Sequence, residues 1–150
     1  MDAMGTRPLL DFIGAVMGSW PVLTEHWNET SFEWLPVLKR AKKYGYNMFL
    51  PWAVGTDYEN PTNNLIFFSQ ASLLMGSRKY YVGNSSTNAI LRTTFKDFNM
   101  RESLVILKNE SGHISKESLA IIQADVDAIF EFDTFLAEVI MFTSVVCTIP

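Results

Sequence analysis

The sequence predicts a mainly α-helical, multi-helical domain with one β-hairpin in its first half. Apolar residues recur at helical spacing in four segments. A run of turn-forming residues separates two stretches rich in aromatic and β-branched residues. No Pro/Gly-rich linker divides the chain, so residues 1–150 are predicted to form a single domain. With 48% hydrophobic and 13% aromatic residues among 150, the chain is long and apolar enough to bury a core.

The first helix is predicted over residues 9–17, where apolar side chains fall on one helical face. Pro8 suits the first turn of such a helix, since its missing N–H has no partner there. Gly18 stands where the helix would end, followed by an exit into extended chain at Trp20 and Pro21.

A second helix is predicted to end before Gly45, and its start has two readings. Thr30 and Glu33 have the spacing of a capping box, but this start would place Pro36 inside the helix. The alternative begins near Leu35, with Pro36 in the first turn. The basic residues at 39–43 favour the negative end of the helix dipole and are interpreted as a solvated face.

The hairpin is predicted from residues 48–54 and 65–69, with a long loop over 55–64. Pro51 must then lie at an edge or a bulge, because it cannot donate to a strand ladder. A lone hairpin is marginally stable, so we expect it to pack on the helices. Residues 71–83 are predicted to be a connector with a short turn at 72–75.

A third helix is predicted to be capped by Thr87 or Asn88 and to end before Gly112. Its core-facing residues are predicted to be Leu91, Phe95 and Phe98, with Glu102 or Val105.

Ser115 is predicted to cap a fourth helix. Its core face is predicted to hold Leu119, Ile122, Val126, Ile129 or Phe130, Leu136 and Val139. The carboxylates Asp125, Asp127, Glu131 and Asp133 are interpreted as surface residues, because no histidine accompanies them.

Charge and hydropathy exclude several classes of partner. The net charge of −4 offers no basic surface for nucleic acid. No stretch is long and apolar enough for a transmembrane helix. The uncharged tail at 139–150 is expected to be buried or frayed, and residues 1–10 lack the pattern of a signal peptide.

The sequence predicts no catalytic or metal-binding residues. His26 and His113 are the only histidines, they lie far apart, and a zinc peptidase helix needs two histidines one turn apart. Serines are plentiful, but none lies in a Gly-x-Ser-x-Gly elbow. Cys147 is the single cysteine, so no intramolecular disulfide can form.

Three acceptor motifs for N-glycosylation occur, at Asn28, Asn84 and Asn109. All three are predicted to lie at helix ends or in loops, where a glycan could fit. Together they favour a lumenal or extracellular protein.

Four ordered patterns resemble the N-terminal region of the neprilysin (M13) family of zinc metallopeptidases. Met-Gly-Ser-Trp-Pro-Val at 17–22 is similar to the family's Gly-Gly-Trp-Pro turn. Lys-Tyr-Gly at 43–45 precedes the hairpin, and Val-Gly-Thr-Asp-Tyr-Glu-Asn at 54–60 is similar to the family's hairpin loop. The return strand at 65–70 resembles the family's apolar run. Leu-Met-Gly-Ser-Arg-Lys-Tyr-Tyr at 74–81 resembles its Leu-Gly-Leu-Pro-x-Arg-x-Tyr-Tyr.

The resemblance extends more loosely to about residue 140, whereas residues 141–150 form an unmatched tail. It implies a helical ectodomain around a central cavity, with peptide substrates and a zinc cofactor held by a downstream His-Glu-x-x-His region. That motif is not in this sequence, so we expect a partial or truncated domain that is inactive alone and whose partner is the catalytic region. A helical piece of this kind should expose apolar surface, so we expect self-association or poor solubility.

Two further hypotheses stay open. The chain could be a binding or decoy module that associates with a full-length relative, or an unrelated helical protein whose motif matches are accidental. The compartment also stays open. The family implies the plasma membrane or the extracellular space, but no signal peptide or anchor is seen.

Overall fold

The computed structural model describes residues 5–18, 20–24, 27–112, 114–140 and 147–149. Within these ranges the helices are α1 (Arg7–Met17), α2 (Trp34–Lys43), α3 (Lys79–Val82), α4 (Ser86–Thr94), α5 (Glu102–Ser111) and α6 (Lys116–Val139). The strands are β1 (Trp52–Thr56), β2 (Asn64–Phe68) and β3 (Cys147–Ile149). The predicted class, mainly helical with one antiparallel hairpin, is confirmed.

The start of α2 decides between the two readings of the sequence. The helix begins at Trp34, so Pro36 lies in the first turn, where its missing N–H is tolerated. The capping-box reading is wrong, because a separate 3-10 turn occupies Glu29–Ser31. Asn28 caps that turn, its side chain accepting a hydrogen bond from the backbone N–H of Thr30.

Helices α1 and α2 pack against each other through a small apolar cluster of Val16, Val37 and Ala41. The Arg40 Nε, on α2, donates to the carbonyl oxygen of Val16 at 2.5 Å. This bond satisfies a carbonyl in the last turn of α1, which has no helical partner. The prediction that the basic residues at 39–43 form a solvated face is therefore wrong at Arg40, which bonds to α1.

The first strand of the hairpin begins four residues later than predicted, at Trp52 instead of residue 48. Residues 48–50 precede the strand, and β1 continues two residues into the predicted loop. The Asp57 N–H donates to the carbonyl of Asn63 at 3.0 Å, which shortens the loop. Pro51 lies just outside the start of β1, an edge strand, and its carbonyl accepts from the Ser69 N–H at 3.0 Å.

A third strand, which the sequence reading did not include, extends the hairpin. β3 pairs antiparallel with β2, so that Thr148 lies opposite Phe67, and the sheet order is β1-β2-β3. At residues 147–149 the tail is thus a paired strand. Residues 141–146 and 150 lie outside the described residues.

Helices α4 and α5 form one long helix interrupted by a π-helical turn at Phe95–Arg101. The predicted core positions of Leu91 and Phe98 are wrong, since these side chains are 41% and 74% exposed. A π-turn adds a residue to the helical repeat and rotates everything beyond it. Leu104 and Leu107 are buried instead.

Helix α6 runs through the core. The side-chain oxygen of Ser115 accepts from the Ser118 N–H at 3.0 Å, which confirms the predicted cap. One core cluster joins Ile122 and Val126 to residues of the α5 helix and of the segment after α1. A second cluster joins Tyr81, Phe130 and Ala137. No helix in the described part of the chain is both long and apolar enough to cross a bilayer.

Candidate interaction surface

The side of α6 that faces away from the core is also apolar. Five large hydrophobic side chains on this side are more than one-third exposed: Ile121, Ile129, Phe132, Phe135 and Val139. A helix with apolar residues on more than one side is usually covered on more than one side. We call this group the outer face of α6.

Aromatic rings continue the outer face onto the rest of the chain. The ring of Phe132 meets that of Phe49 edge to face, with centroids 6.2 Å apart. Phe49 in turn contacts Trp34 at the start of α2, with centroids 5.8 Å apart. All three side chains are 40–50% exposed. The row links three distant parts of the sequence while remaining half open to solvent.

Beside this row lies a groove of about 350 Å³ between α6 and the segments at 47–49 and 71–74. Its apolar lining includes Met48, Phe49, Leu74, Ile129, Phe132 and Leu136. Pockets of this size and composition hold apolar side chains or ligands. We call it the α6 groove.

The floor of the α6 groove is held by a buried carboxylate. Asp133 is 4% exposed, and its Oδ2 accepts from the Leu74 N–H at 3.1 Å and from the Tyr81 hydroxyl. The Tyr81 oxygen also accepts from the Met75 N–H at 2.7 Å. These bonds satisfy the carboxylate and join residues 74–81 to α6. The prediction that Asp133 is a surface residue is therefore wrong.

Tyr81 is buried beneath the groove and stacks on Phe130, with ring centroids 5.6 Å apart. Burial raises the pKa of Tyr81 well above its usual value, and the hydrogen bond to Asp133 raises it further. The phenol therefore stays protonated and acts as a hydrogen-bond donor. It is a structural group, since the ring is 6% exposed.

The segment at 74–83 makes further hydrogen bonds through two arginines. The Arg78 Nε donates to the carbonyl of Ala137 at 2.9 Å, one turn beyond Asp133 on α6. The Arg92 guanidinium donates to the carbonyls of Tyr80 and Gly83 at 2.8 and 3.1 Å. Residues 74–83 are thus bonded to α6 through Arg78 and to α4 through Arg92.

The other three carboxylates of α6 that were predicted to lie on the surface have different surroundings: Asp125, Asp127 and Glu131. Asp127 pairs with Lys96 and accepts from the Gln123 amide at 3.3 Å, and these two bonds lower the pKa of Asp127. Burial raises the pKa of Asp125. Glu131 is exposed, as predicted.

The three predicted glycosylation sites lie on separate elements. Asn28 precedes the 3-10 turn, Asn84 lies in the loop before α4, and Asn109 lies within α5. All three side chains are exposed.

His26 and His113 lie outside the described residues. Among the residues that the structure places, no three His, Cys, Asp or Glu side chains are grouped as a metal site requires.

The α6 groove is a feature that the sequence reading missed. The signal was present, since α6 carries Phe132 and Phe135 off the face set by Ile122 and Val126. The predicted core positions of Ile129 and Val139 are wrong, since these side chains are 38% and 56% exposed and belong to the outer face. The remaining sides were predicted to carry carboxylates, so the sequence did not predict a second apolar face.

Known proteins resemble this chain over nearly its whole length. The sequence model of peptidase family M13 matches residues 1–145. Neprilysin-11 of Caenorhabditis elegans is 28% identical over 144 residues, which are 94% of this chain and 16% of that protein. Membrane metallo-endopeptidase-like 1 of Homo sapiens is 29% identical over 142 residues, 92% of this chain and 18% of that protein.

Neprilysin of Homo sapiens is 30% identical over 125 residues, which are 81% of this chain and 16% of that protein. The chain thus spans 16–18% of the length of these three relatives. The match of the family model contradicts the hypothesis of an accidental resemblance, and so does the observed hairpin across residues 54–70. The chain belongs to peptidase family M13 and matches the N-terminal domain of that family.

Proposed function

We propose that this chain is a non-catalytic N-terminal part of a neprilysin-like zinc metalloendopeptidase, and that it supports a separate catalytic region in peptide hydrolysis. The observation that carries the proposal is the outer face of α6 with its groove, an apolar surface on a chain that matches only 16–18% of its relatives' length. An apolar surface with an aromatic row is the kind that a protein partner covers.

The chemistry supports a non-catalytic role. Hydrolysis by a zinc peptidase needs three protein ligands and a base near the bound water. This sequence has two histidines and no His-Glu-x-x-His pattern. We therefore infer that zinc belongs to the catalytic region, and that this chain by itself has no peptidase activity.

Burial of the α6 groove against a partner is favourable in free energy. Each Å² of apolar area removed from water contributes about 25 cal/mol, so covering a few hundred Å² contributes several kcal/mol. We infer that the catalytic region of the same enzyme supplies the cover. Without it, two copies of this chain are expected to associate through the outer faces of α6.

A second candidate function uses the same surface. The chain could bind a full-length relative as a decoy, with its groove competing for the face that normally meets an N-terminal domain. The open groove favours this alternative equally, so an experiment has to separate the two functions.

The test is a chimera in which this chain replaces the matching N-terminal segment of human neprilysin. We expect zinc-dependent peptidase activity from the secreted chimera and none from this chain alone. Phe132→Ser together with Phe135→Ser should abolish secretion or activity of the chimera, because both changes place hydroxyls in the covered face. The matched control is Tyr58→Ser, at an aromatic ring 90% exposed in the hairpin loop, which should leave both unchanged.

Three results would contradict the proposal. One is zinc-dependent hydrolysis by the isolated chain that survives His26→Ala with His113→Ala. Another is an active chimera that tolerates the serine pair. An inactive chimera, combined with tight binding of the free chain to intact neprilysin in light scattering, would establish the decoy function instead.

A further inference from the structure

The three glycosylation motifs have different backbone conformations, although they are equivalent in sequence. Asn28 is extended, with φ −109° and ψ 106°, and it caps the 3-10 turn at Glu29–Ser31. Asn84 lies in the loop between α3 and α4, just before the cap of α4. Asn109 lies inside α5, near its end. Transfer of a glycan needs the asparagine amide and the hydroxyl two residues later to face one enzyme site together.

Helical geometry disfavours Asn109. Side chains two positions apart on an α-helix do not face each other, so a motif inside a helix cannot present both groups on one side. The segment would have to unwind first. Asn109 is therefore expected to be a poor acceptor in the folded chain.

Asn28 has the opposite geometry. The Thr30 hydroxyl donates to the Asn28 Oδ1 at 2.8 Å, and the Thr30 N–H donates to the same oxygen at 3.0 Å. The hydrogen bonds of Asn28 within the described ranges use its Oδ1 and its backbone carbonyl, so its side-chain nitrogen can react. The Ser31 hydroxyl donates to the Asn28 carbonyl at 2.9 Å, which holds the turn closed.

Two donors on the amide oxygen prepare the nitrogen for reaction. They draw electron density toward the oxygen and so make the N–H hydrogens more acidic. The nitrogen then attacks the anomeric carbon of a lipid-linked oligosaccharide diphosphate. The N–C bond forms, the C–O bond to the diphosphate breaks with its electron pair, and one amide proton passes to a base of the transferring enzyme.

A cavity beside Asn28 has room for the first sugar of the transferred oligosaccharide. It has a volume of about 240 Å³, and its lining includes Trp27, Phe32, Glu33 and Arg40. The rings of Trp27 and Phe32 lie 5.6 Å apart, adjacent to the asparagine. Aromatic faces pack against the C–H face of a sugar, while the charged groups can bond its hydroxyls.

We propose that Asn28 is the preferred N-glycosylation site of this chain, that its first sugar packs in the Trp27–Phe32 cavity, and that Asn109 is not modified in the folded state. Asn84, exposed and in a loop, is the intermediate case. The inference does not depend on a peptidase role, so either proposal can fail without the other.

The test uses the purified chain, a eukaryotic oligosaccharyltransferase and a lipid-linked oligosaccharide donor. Occupancy of each site is read by glycopeptide mass spectrometry, on folded chain and on chain unfolded in mild denaturant. We expect Asn28 to be modified several-fold faster than Asn109 in the folded chain. The difference should shrink when the chain is unfolded, because α5 then no longer separates the groups of the Asn109 motif.

Variants separate the motif from the cavity. Thr30→Ala should abolish modification of Asn28, and Thr30→Ser should preserve part of it. Trp27→Ala should leave occupancy unchanged but let an endoglycosidase remove the glycan several-fold faster. Circular dichroism of each variant verifies that the fold is retained.

Equal rates at Asn28 and Asn109 in the folded chain would overturn the ranking of the sites. An unchanged rate of glycan removal in Trp27→Ala would overturn the packing of the sugar.

Discussion

Helix α6 has two apolar faces in opposite environments. On the inner side, Ile122 and Val126 are at most 1% exposed, and Asp133 has hydrogen-bond partners for its buried carboxylate. On the outer side, Ile121 and Phe135 are more than half exposed, although they are as hydrophobic as their inner neighbours. The chain alone thus completes the fold on one side of α6 only. The sequence of a helix shows which of its sides are apolar, whereas the structure shows which of those sides this chain buries.

The largest expected effect comes from neighbouring isoleucines on the two faces. Ile122→Ala should lower the free energy of unfolding by about 2–5 kcal/mol, because it removes buried methyl groups and leaves a cavity. Ile121→Ala, the same substitution one residue away, should change it by about 0.5 kcal/mol or less at a protein concentration low enough to keep the chain monomeric. Urea unfolding followed by circular dichroism measures both values.

Running that experiment at two protein concentrations serves as its control. A large, concentration-dependent loss in Ile121→Ala would mean that the outer face is buried between copies of the chain. A large loss that does not depend on concentration would contradict the difference between the faces.

The next effect concerns the hydrogen bonds under the groove. Tyr81→Phe removes the donor to Asp133 and leaves its carboxylate buried with one bond fewer, so it should cost about 1–3 kcal/mol. Tyr58→Phe is the matched control, since the Tyr58 ring is 90% exposed, and it should cost nothing measurable. Equal stability of the two variants would mean that the buried network contributes nothing to the fold.

The pH dependence of stability follows from the raised pKa of Tyr81. Below the ordinary tyrosine pKa of 10.0 the phenol is protonated in both the folded and the unfolded chain. Above it the unfolded chain loses this proton first, so the folded chain holds more protons and the free energy of unfolding falls as pH rises. Unfolding curves between pH 8 and about 11 should show this fall, with a smaller slope in Tyr81→Phe. The same slope in both chains would assign the loss to other groups.

The sequence predicted the inner face of α6 better than the groove. Ile122 and Val126 follow from helical spacing, a local property that needs no knowledge of the rest of the fold. The burial of Asp133 depends on Leu74 and Tyr81, which are 59 and 52 positions away, so no local pattern reports it. Long-range contacts of this kind are visible only after folding.

Two further misses have the same origin. Phe98 lies within a π-helical turn, whose repeat differs from the 3.6-residue repeat on which its prediction was based. β3 depends on pairing with β2, about 80 residues earlier in the chain, and its three residues are too few to predict a strand by themselves, although two of them are β-branched. The hairpin itself was predictable, because its turn residues and both strands are close in sequence.

The smallest expected effect lies at the rim between the two faces of α6, where Lys96 pairs with Asp127. The lowered pKa of Asp127 means that the pair stabilises the fold above the ordinary pKa of the carboxyl, and that this contribution is lost as pH falls through the lowered value. The Asp127 side chain is 51% exposed, so solvent screens the pair. A double-mutant cycle with Lys96→Met and Asp127→Asn should give a coupling energy of about 0.2–0.5 kcal/mol at pH 7.

Methionine is the suitable replacement for Lys96, because the lysine also lies 5.6 Å from the centroid of the Phe130 ring and its apolar stem should be kept. Raising the salt concentration to about 1 M should remove most of the coupling, since exposed charges are screened over a few Å. A coupling well above 1 kcal/mol that persists in salt would mean that the rim is desolvated, and that the buried region of α6 extends beyond its inner face to Asp127.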